Sequence, residues 1–180
     1  MKQITIDDIA PAPWKNGGGV TREIALCADD KGMAWRLSVA DVARAGPFSA
    51  FPGLKRVLTV IEGNGLLLTH PGGVIAARYG APVRFDGDMA IDCSLVDGPV
   101  RDFNLIYDPS RGAMDVIRLE AGAHEAGGIG LLPLEGACVF EDGRAVPPGA
   151  FALFDDARKM RFQVSSAALL VTADGSGARQ

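Results

Sequence analysis

Histidine is the scarcest chemistry-bearing residue in this chain, with two copies among 180 residues. His70 precedes Pro71-Gly72-Gly73, and His124 sits in Gly122-Ala123-His124-Glu125-Ala126-Gly127. Without HxH spacing the two fall short of the several imidazoles plus a carboxylate that a histidine-based metal centre on neighbouring strands requires. Both are expected as exposed loop residues, and no metal or other cofactor is expected. Cysteine is almost as sparse: Cys27, Cys93 and Cys138 are odd in number, far apart and lack CxxC spacing, which argues against a disulfide framework or a zinc site and predicts three reduced thiols. A basic run is missing too. Lysine and arginine total 18 against 22 acidic residues, a net charge of −4, so the chain carries no electrostatic footprint for nucleic acid. No apolar stretch approaches the roughly 20 residues that cross a bilayer, and the start Met1-Lys2-Gln3-Ile4-Thr5-Ile6-Asp7-Asp8 lacks the apolar centre of a signal peptide; both point to a cytoplasmic protein without a membrane partner. Neither a GxSxG elbow nor a recognisable Cys/His pairing is present to activate a nucleophile.

What the chain does have is a succession of short apolar or alternating runs, at residues 20–26, 35–42, 56–69, 83–85, 89–95, 102–107, 114–119, 130–134, 138–141, 151–154, 160–164 and 168–172. Turn formers separate them, among them Glu62-Gly63-Asn64-Gly65, Asp86-Gly87-Asp88 and Pro147-Pro148-Gly149, and these favour hairpins over crossover helices. The fold class is therefore all-β, a sandwich or barrel. Residues 41–54, with Gly46-Pro47-Phe48-Ser49 and Phe51-Pro52-Gly53, are too rich in breakers for a helix and read as a shaped loop whose aromatic rings cover a barrel mouth or a core edge. A weak internal repeat favours two tandem β-modules: Leu58-Thr59-Val60-Ile61-Glu62-Gly63 returns in character as Leu131-Leu132-Pro133-Leu134-Glu135-Gly136, and the strand ending at Asp108 has a counterpart ending at Asp174. The modules are expected over 1–108 and 109–174, with 175–180 as a disordered tail.

Polar chemistry gathers in the first module. In Pro13-Trp14-Lys15-Asn16-Gly17-Gly18-Gly19-Val20-Thr21-Arg22-Glu23-Ile24 a glycine triplet leads into a strand that sends Thr21 and Glu23 to one face. Three adjacent glycines are entropically costly, so positive φ or close backbone approach is expected there. Arg36 and Ser38 share one strand face, with Trp35, Leu37 and Val39 on the other; Arg56 shares a face with Leu58 and Val60, and Asn104 with Asp102 and Ile106. An arginine among aliphatic neighbours needs a carboxylate, supplied either by an internal acid such as Glu23 or Asp102 or by a ligand held in the planar fork.

These segments, together with Trp35-Arg36-Leu37-Ser38, Gly46-Pro47-Phe48-Ser49-Ala50-Phe51-Pro52-Gly53, Glu62-Gly63-Asn64-Gly65-Leu66 and Asp102-Phe103-Asn104-Leu105, resemble the HutD/Ves family in order and spacing from about residue 10 to residue 108. The resemblance implies a bacterial bicupin, two tandem cupin-like (RmlC-like jelly-roll) β-barrels packed in one compact body, in a family with no established enzymatic activity. HutD members accompany histidine-utilisation genes, and N-formylglutamate is the ligand proposed for them. Carried over by position, the pocket residues are Asn16, Thr21, Glu23, Arg36, Ser38, Phe48, Ser49, Arg56 and Asn104; Val20 and Lys55 depart from the residues usual in the family. The resulting expectation is a non-metal bicupin that binds a small carboxylate-bearing, formylglutamate-like metabolite and tunes histidine utilisation or a related catabolic response. Arg36 and Arg56 would clamp the anion, while Trp14 and Phe48 wall the pocket. The alternative is a metal-independent isomerase or lyase with Glu23 as acid and base. An apolar face around residues 131–139 could serve a protein partner or a homodimer.

Overall fold

The computed structural model describes residues 1–156 and 158–174. The expected disordered tail, 175–180, lies outside the described residues. Among the described residues there are seventeen strands, two short 3-10 helices and no α-helix. In chain order the strands are β1 (Lys2–Thr5), β2 (Ala12–Pro13), β3 (Gly19–Asp29), β4 (Gly32–Val42), β5 (Gly46–Pro47), β6 (Lys55–Glu62), β7 (Leu66–His70), β8 (Gly73–Ala77), β9 (Val83–Asp86), β10 (Asp92–Leu95), β11 (Val100–Tyr107), β12 (Met114–Ala126), β13 (Gly130–Glu135), β14 (Cys138–Phe140), β15 (Ala145–Val146), β16 (Ala150–Leu153) and β17 (Met160–Ala173). No helix among the described residues is long and apolar enough to cross a membrane.

The chain divides into two units, Ala10–Pro109 and a second formed by Met1–Ile9 with the residues from Ser110 onward. The boundary expected at 108 therefore needs a correction at the N-terminus. β1 pairs antiparallel with β16, from Lys2 opposite Leu153 to Thr5 opposite Ala150, and Ile6 beyond it is buried with its N–H donating to the Gly149 carbonyl. Covering the open edge of β16 satisfies backbone groups that an unpaired edge strand would leave to solvent or to another chain.

In the 10–109 unit a six-stranded sheet runs β2-β3-β4-β11-β6-β9 and a four-stranded sheet runs β5-β10-β7-β8. Ala40, Val42, Leu58 and Val60 from the larger sheet join Leu66, Leu68, Ala77 and Cys93 from the smaller in one apolar core. Burying each of the valine and leucine side chains among them stabilises by about 1.5–3 kcal/mol. The loop expected over 41–54 contains the two-residue strand β5, which pairs with β10 at Asp92 and Cys93.

The second unit repeats the strand order. β12-β17-β13-β16 matches β4-β11-β6-β9, since β17 lies between β12 and β13 as β11 lies between β4 and β6. The N–H of Asp108 donates to the Ala34 carbonyl at 2.9 Å and that of Asp174 to the Ala113 carbonyl at 2.9 Å, so the two repeats end in the same way. Residues 160–164 and 168–172, expected as separate runs, form the single strand β17, which carries register irregularities where it meets β12 and β13. The stretch 131–139, expected as an apolar docking face, is largely interior. Leu131 and Cys138 belong to the core of this unit, and only Val139 is a markedly exposed apolar side chain there.

His124 corrects a further expectation. It lies on β12 rather than in a loop, half-buried, with its ring stacked at 5.9 Å on Phe162 and a ring nitrogen 2.9 Å from the Glu120 carbonyl. His70 ends β7, and its Nδ1 accepts from the Gly72 N–H at 3.1 Å. All three cysteines are free thiols, with Cys93 and Cys138 buried and Cys27 half-buried; burial pushes the Cys93 thiol up to about 12 and Cys138 to about 11. At those values neither of the two buried sulfurs is a nucleophile at neutral pH.

Candidate functional site

The inner face of the larger sheet in the 10–109 unit changes character along its strands. Register sets Arg36, Ile106 and Arg56 side by side in one row, Ser38, Asn104 and Leu58 in the next, and Ala40, Asp102 and Val60 in the third. The apolar core occupies one end of this face, and a cavity of about 460 Å³ occupies the polar end. That volume suits a small metabolite.

Nine of the ten sequence-derived site residues line this cavity: Trp14, Asn16, Thr21, Arg36, Ser38, Phe48, Ser49, Arg56 and Asn104. Glu23 does not. It pairs with Ser38 in register, but β2 covers β3 only at Val20 and Thr21, so beyond that point β3 is a sheet edge and the Glu23 side chain is exposed. A register shift between Glu23 and Ala25 also breaks the alternation that the sequence implied for residues 20–26. The carboxyl group that does line the cavity is Asp102, accompanied by Lys15 and Phe51, none of which belonged to the expected set. The sequence held a signal for two of them: Asp102 shares the inner face with Asn104, and Phe51 follows Phe48 in the same breaker-rich segment.

The glycine triplet builds the mouth. Gly17 has φ +68, and a Cβ on Gly19 would stand 2.3 Å from the Asp41 carbonyl oxygen, so a side chain there would push β3 off β4. The tight turn lets the Gly18 N–H donate to Asn16 Oδ1 at 2.9 Å and brings Trp14 over the strand, where its Nε1 donates to Thr21 Oγ1 at 2.7 Å. The Trp14 ring meets Phe48 edge to face at 6.0 Å. Phe48 and Phe51 are held by their backbones: the Phe48 N–H donates to the Ile91 carbonyl at 2.9 Å and the Phe51 N–H to the Gly87 carbonyl at 2.6 Å. Gly87 admits that contact because any Cβ on it would fall 2.4 Å from the Phe51 carbonyl oxygen.

Electrostatics separates four arginines of this sheet into two kinds. On its other face Arg22 and Arg101 both pair with Asp41, and Arg101 also reaches Glu62 at 3.3 Å. Although burial opposes it, the guanidiniums of Arg101 and Arg22 hold the Asp41 carboxyl below its ordinary value. Arg36 and Arg56 have no carboxylate within ion-pair distance among the described residues. Arg56 is buried, with aromatic rings of Phe48, Phe51 and Phe85 at 5.4, 5.4 and 5.0 Å from its Cζ. It donates to Asn104 Oδ1 at 3.1 Å and more weakly to the Ser49 carbonyl at 3.4 Å, while its Nε has no partner. Burial brings its pKa down to about 10, with Asp102 opposing and Arg36 reinforcing the shift. Arg36 lies 5.3 Å from the Phe51 ring, and its Nε is likewise unpartnered.

Asp102 meets this charge only through an intermediary. Asn104 donates its amide N–H to Asp102 Oδ1 and accepts from Arg56 on its own Oδ1, giving a chain Arg56, Asn104, Asp102. Of the two acids considered as partners for Arg56, Asp102 is thus linked indirectly and Glu23 is not linked at all. Flanked by Ala40 and Val60, Asp102 is almost fully buried, and burial pushes its carboxyl up to about 7 against the pull of Asn104 and Arg56. Among the described residues no cluster of three or more His, Cys, Asp or Glu side chains is arranged to hold a metal ion.

Tandem jelly-roll units with this strand order define a bicupin. A cupin-2 barrel protein from Leptotrichia buccalis shares the fold at 15% identity and a TM-score of 0.61, with 96% of each chain covered. The HutD family model matches residues 6–170, and the chain belongs to that family. It is similar to HutD from Pseudomonas fluorescens SBW25, solved in a formate condition, with 30% identity, 97% of this chain and 99% of that one covered, and a TM-score of 0.84. It is also 40% identical over 116 residues to an uncharacterised 21.2 kDa protein of the hutC 3′ region of Pseudomonas putida, a match that spans 62% of this chain and 60% of that protein.

Proposed function

We propose that the cavity of the 10–109 barrel binds a small carboxylate-bearing metabolite of the formylglutamate type without a metal, and that occupancy tunes histidine utilisation or a related catabolic response. One observation carries the reading: Arg36 and Arg56 line the same cavity, and neither is neutralised by a carboxylate of the described chain, whereas Arg22 and Arg101 on the opposite face are. A buried cation without a counter-ion is costly, and an anionic guest offsets that cost. Two rows of the sheet present donors to such a guest, the guanidiniums from one and the Ser38 hydroxyl from the other. Thr21, already accepting from Trp14, retains its own hydroxyl proton. Trp14, Phe48 and Phe51 supply flat apolar walls. Charge-assisted contacts of about 1.5–3 kcal/mol each, less the cost of immobilising the guest, correspond to micromolar to millimolar dissociation constants, a range fit for sensing a metabolite. The link to histidine utilisation draws on HutD membership and on the gene position for which the Pseudomonas putida relative is named.

Calorimetric titration with formate, glutamate, urocanate and N-formylglutamate tests the reading. At least one should bind, and Arg56→Ala should weaken it tenfold or more, the loss of one charge-assisted contact. Silence from all four, or binding untouched by that substitution, overturns it.

A further inference from the structure

The Asp102 carboxyl has one use the pocket does not yet explain. Its Oδ1 accepts from Asn104, its Oδ2 has no hydrogen-bond partner, and the residue is 1% exposed while lining the cavity. A buried carboxylate oxygen left unpaired is expensive, so a site that keeps one gains from a guest that supplies the missing donor. We propose that Asp102 is a specificity-determining residue, and that the preferred guest is a carboxylate that also carries an N–H or O–H donor, its anionic end toward Arg36 and Arg56 and its donor on Asp102 Oδ2.

This rests on the carboxylate-binding reading and narrows it to a chemical class: N-acylated amino acids and hydroxy acids fit, simple alkanoates and esters do not. Discrimination of this kind is strong, because a guest without the donor leaves the same oxygen buried and unpaired. Asn104 fixes the arrangement. Its oxygen is committed to Arg56 and its amide to Asp102, so the Asp102 carboxyl is held by one oxygen with the other left over. The charged and titratable groups around it are Arg56 on β6, Asp41 on β4 and Cys93 on β10, with Arg36 on β4 and Lys15 beyond β2 lining the same cavity. Cys93 stays a neutral thiol and Arg56 stays charged, so the charge that changes here between pH 8.5 and 5.5 is that of Asp102 itself.

Matched probes separate the inference from the reading beneath it. N-acetylglycine and acetoxyacetate differ by an N–H replaced with an ester oxygen at nearly constant shape. At pH 8.5 the wild-type protein should bind N-acetylglycine about tenfold or more tighter, as expected for a hydrogen bond to a charged acceptor. In Asp102→Asn the introduced amide keeps its oxygen on the Asn104 donor and turns its NH₂ to the vacant side, so the preference should vanish or reverse. A purely structural role for Asp102 would alter both affinities together and leave their ratio unchanged. If the variant folds poorly, the wild type alone gives the answer. As pH falls from 8.5 to 5.5 the carboxyl gains a proton and becomes a donor, and the ratio should drop toward one. Equal binding of the two probes at pH 8.5, or a ratio that survives both the substitution and acid, overturns the inference and leaves carboxylate binding intact. Failure of both probes to bind, with N-formylglutamate and formate also silent, removes the underlying reading and this inference with it.

Discussion

Asn104 and Leu170 occupy the same place in their respective barrels. Asn104 stands on β11 between Ser38 and Leu58, and Leu170 stands on β17 between Ile117 and Leu131. Two residues earlier Asp102 corresponds to Ala168, and two residues before Leu58 and Leu131 lie Arg56 and Ile129. In the 110–174 barrel Ala168, Leu170 and Ile129 are all buried, and the first two join the apolar core. In the 10–109 barrel the equivalent positions hold a hydrogen-bonded polar chain beside a cavity. The same topology thus carries apolar core residues at these positions in one barrel and a polar chain lining a cavity in the other, and the difference lies in a few side chains on one sheet face. A polar interior at the cost of core packing is what a binding site requires, and the second barrel shows the arrangement that packing alone favours.

Substitutions that exchange the two interiors put this contrast to the test. The largest effect is expected from Leu170→Asn, which combines a cavity with an unsatisfied amide in an apolar core and should cost about 4 kcal/mol of unfolding free energy in urea melts. A cost below 1 kcal/mol would mean that the second barrel tolerates a polar interior as well. Arg56→Ala comes next: it leaves Asn104 Oδ1 buried without its donor and should destabilise by about 2 kcal/mol, measured in the same way. The concerted replacement Arg56→Ile, Asn104→Leu and Asp102→Ala, which imports the second barrel's residues, should instead stabilise by about 2 kcal/mol while abolishing carboxylate binding, because exchanging a whole buried polar network for apolar side chains removes its desolvation cost. Destabilisation by that triple variant would show that the polar chain holds the fold together.

The first barrel should also show a pH dependence that arises from Asp102. Burial raises the folded-state pKa of Asp102 to about 7 from its ordinary 3.8, so between about pH 4 and 7 the folded state holds a proton that the unfolded state releases. Stability from this group is fully present below that window and is lost as pH rises through it. Asp102→Asn cannot titrate, so its melting temperature relative to the wild type should rise from pH 5 to pH 8. An unchanged difference would place the Asp102 carboxyl at an ordinary pKa.

Much of this contrast was legible in the sequence, for particular reasons. Alternation exposed the inner-face sets Arg36 with Ser38 and Asn104 with Asp102, since period two fixes which side chains share a face. The tandem repeat showed because Leu58 to Gly63 and Leu131 to Gly136 share hydrophobic spacing and a closing glycine. The glycine triplet announced both a positive φ, at Gly17, and a close approach, at Gly19. Other features depend on pairing between distant segments, which no local pattern encodes. β1 joins β16 across nearly the whole chain. Glu23 lost its place because β2 is too short to shield it, and a register shift changed the phase of the residues beyond. Asp102 could be assigned to the inner face, but its link to Arg56 through Asn104 rather than directly is a matter of side-chain geometry across β11 and β6.

The most direct test of the central claim is a crystal structure of this protein grown with the tightest-binding carboxylate of the calorimetric series. The account predicts a carboxylate in the 10–109 cavity with its oxygens in hydrogen-bond contact with the guanidiniums of Arg36 and Arg56, and nothing bound in the interior of the other barrel. A ligand seated elsewhere, or a cavity in which the two arginines have turned to carboxylates of the chain itself, would contradict it.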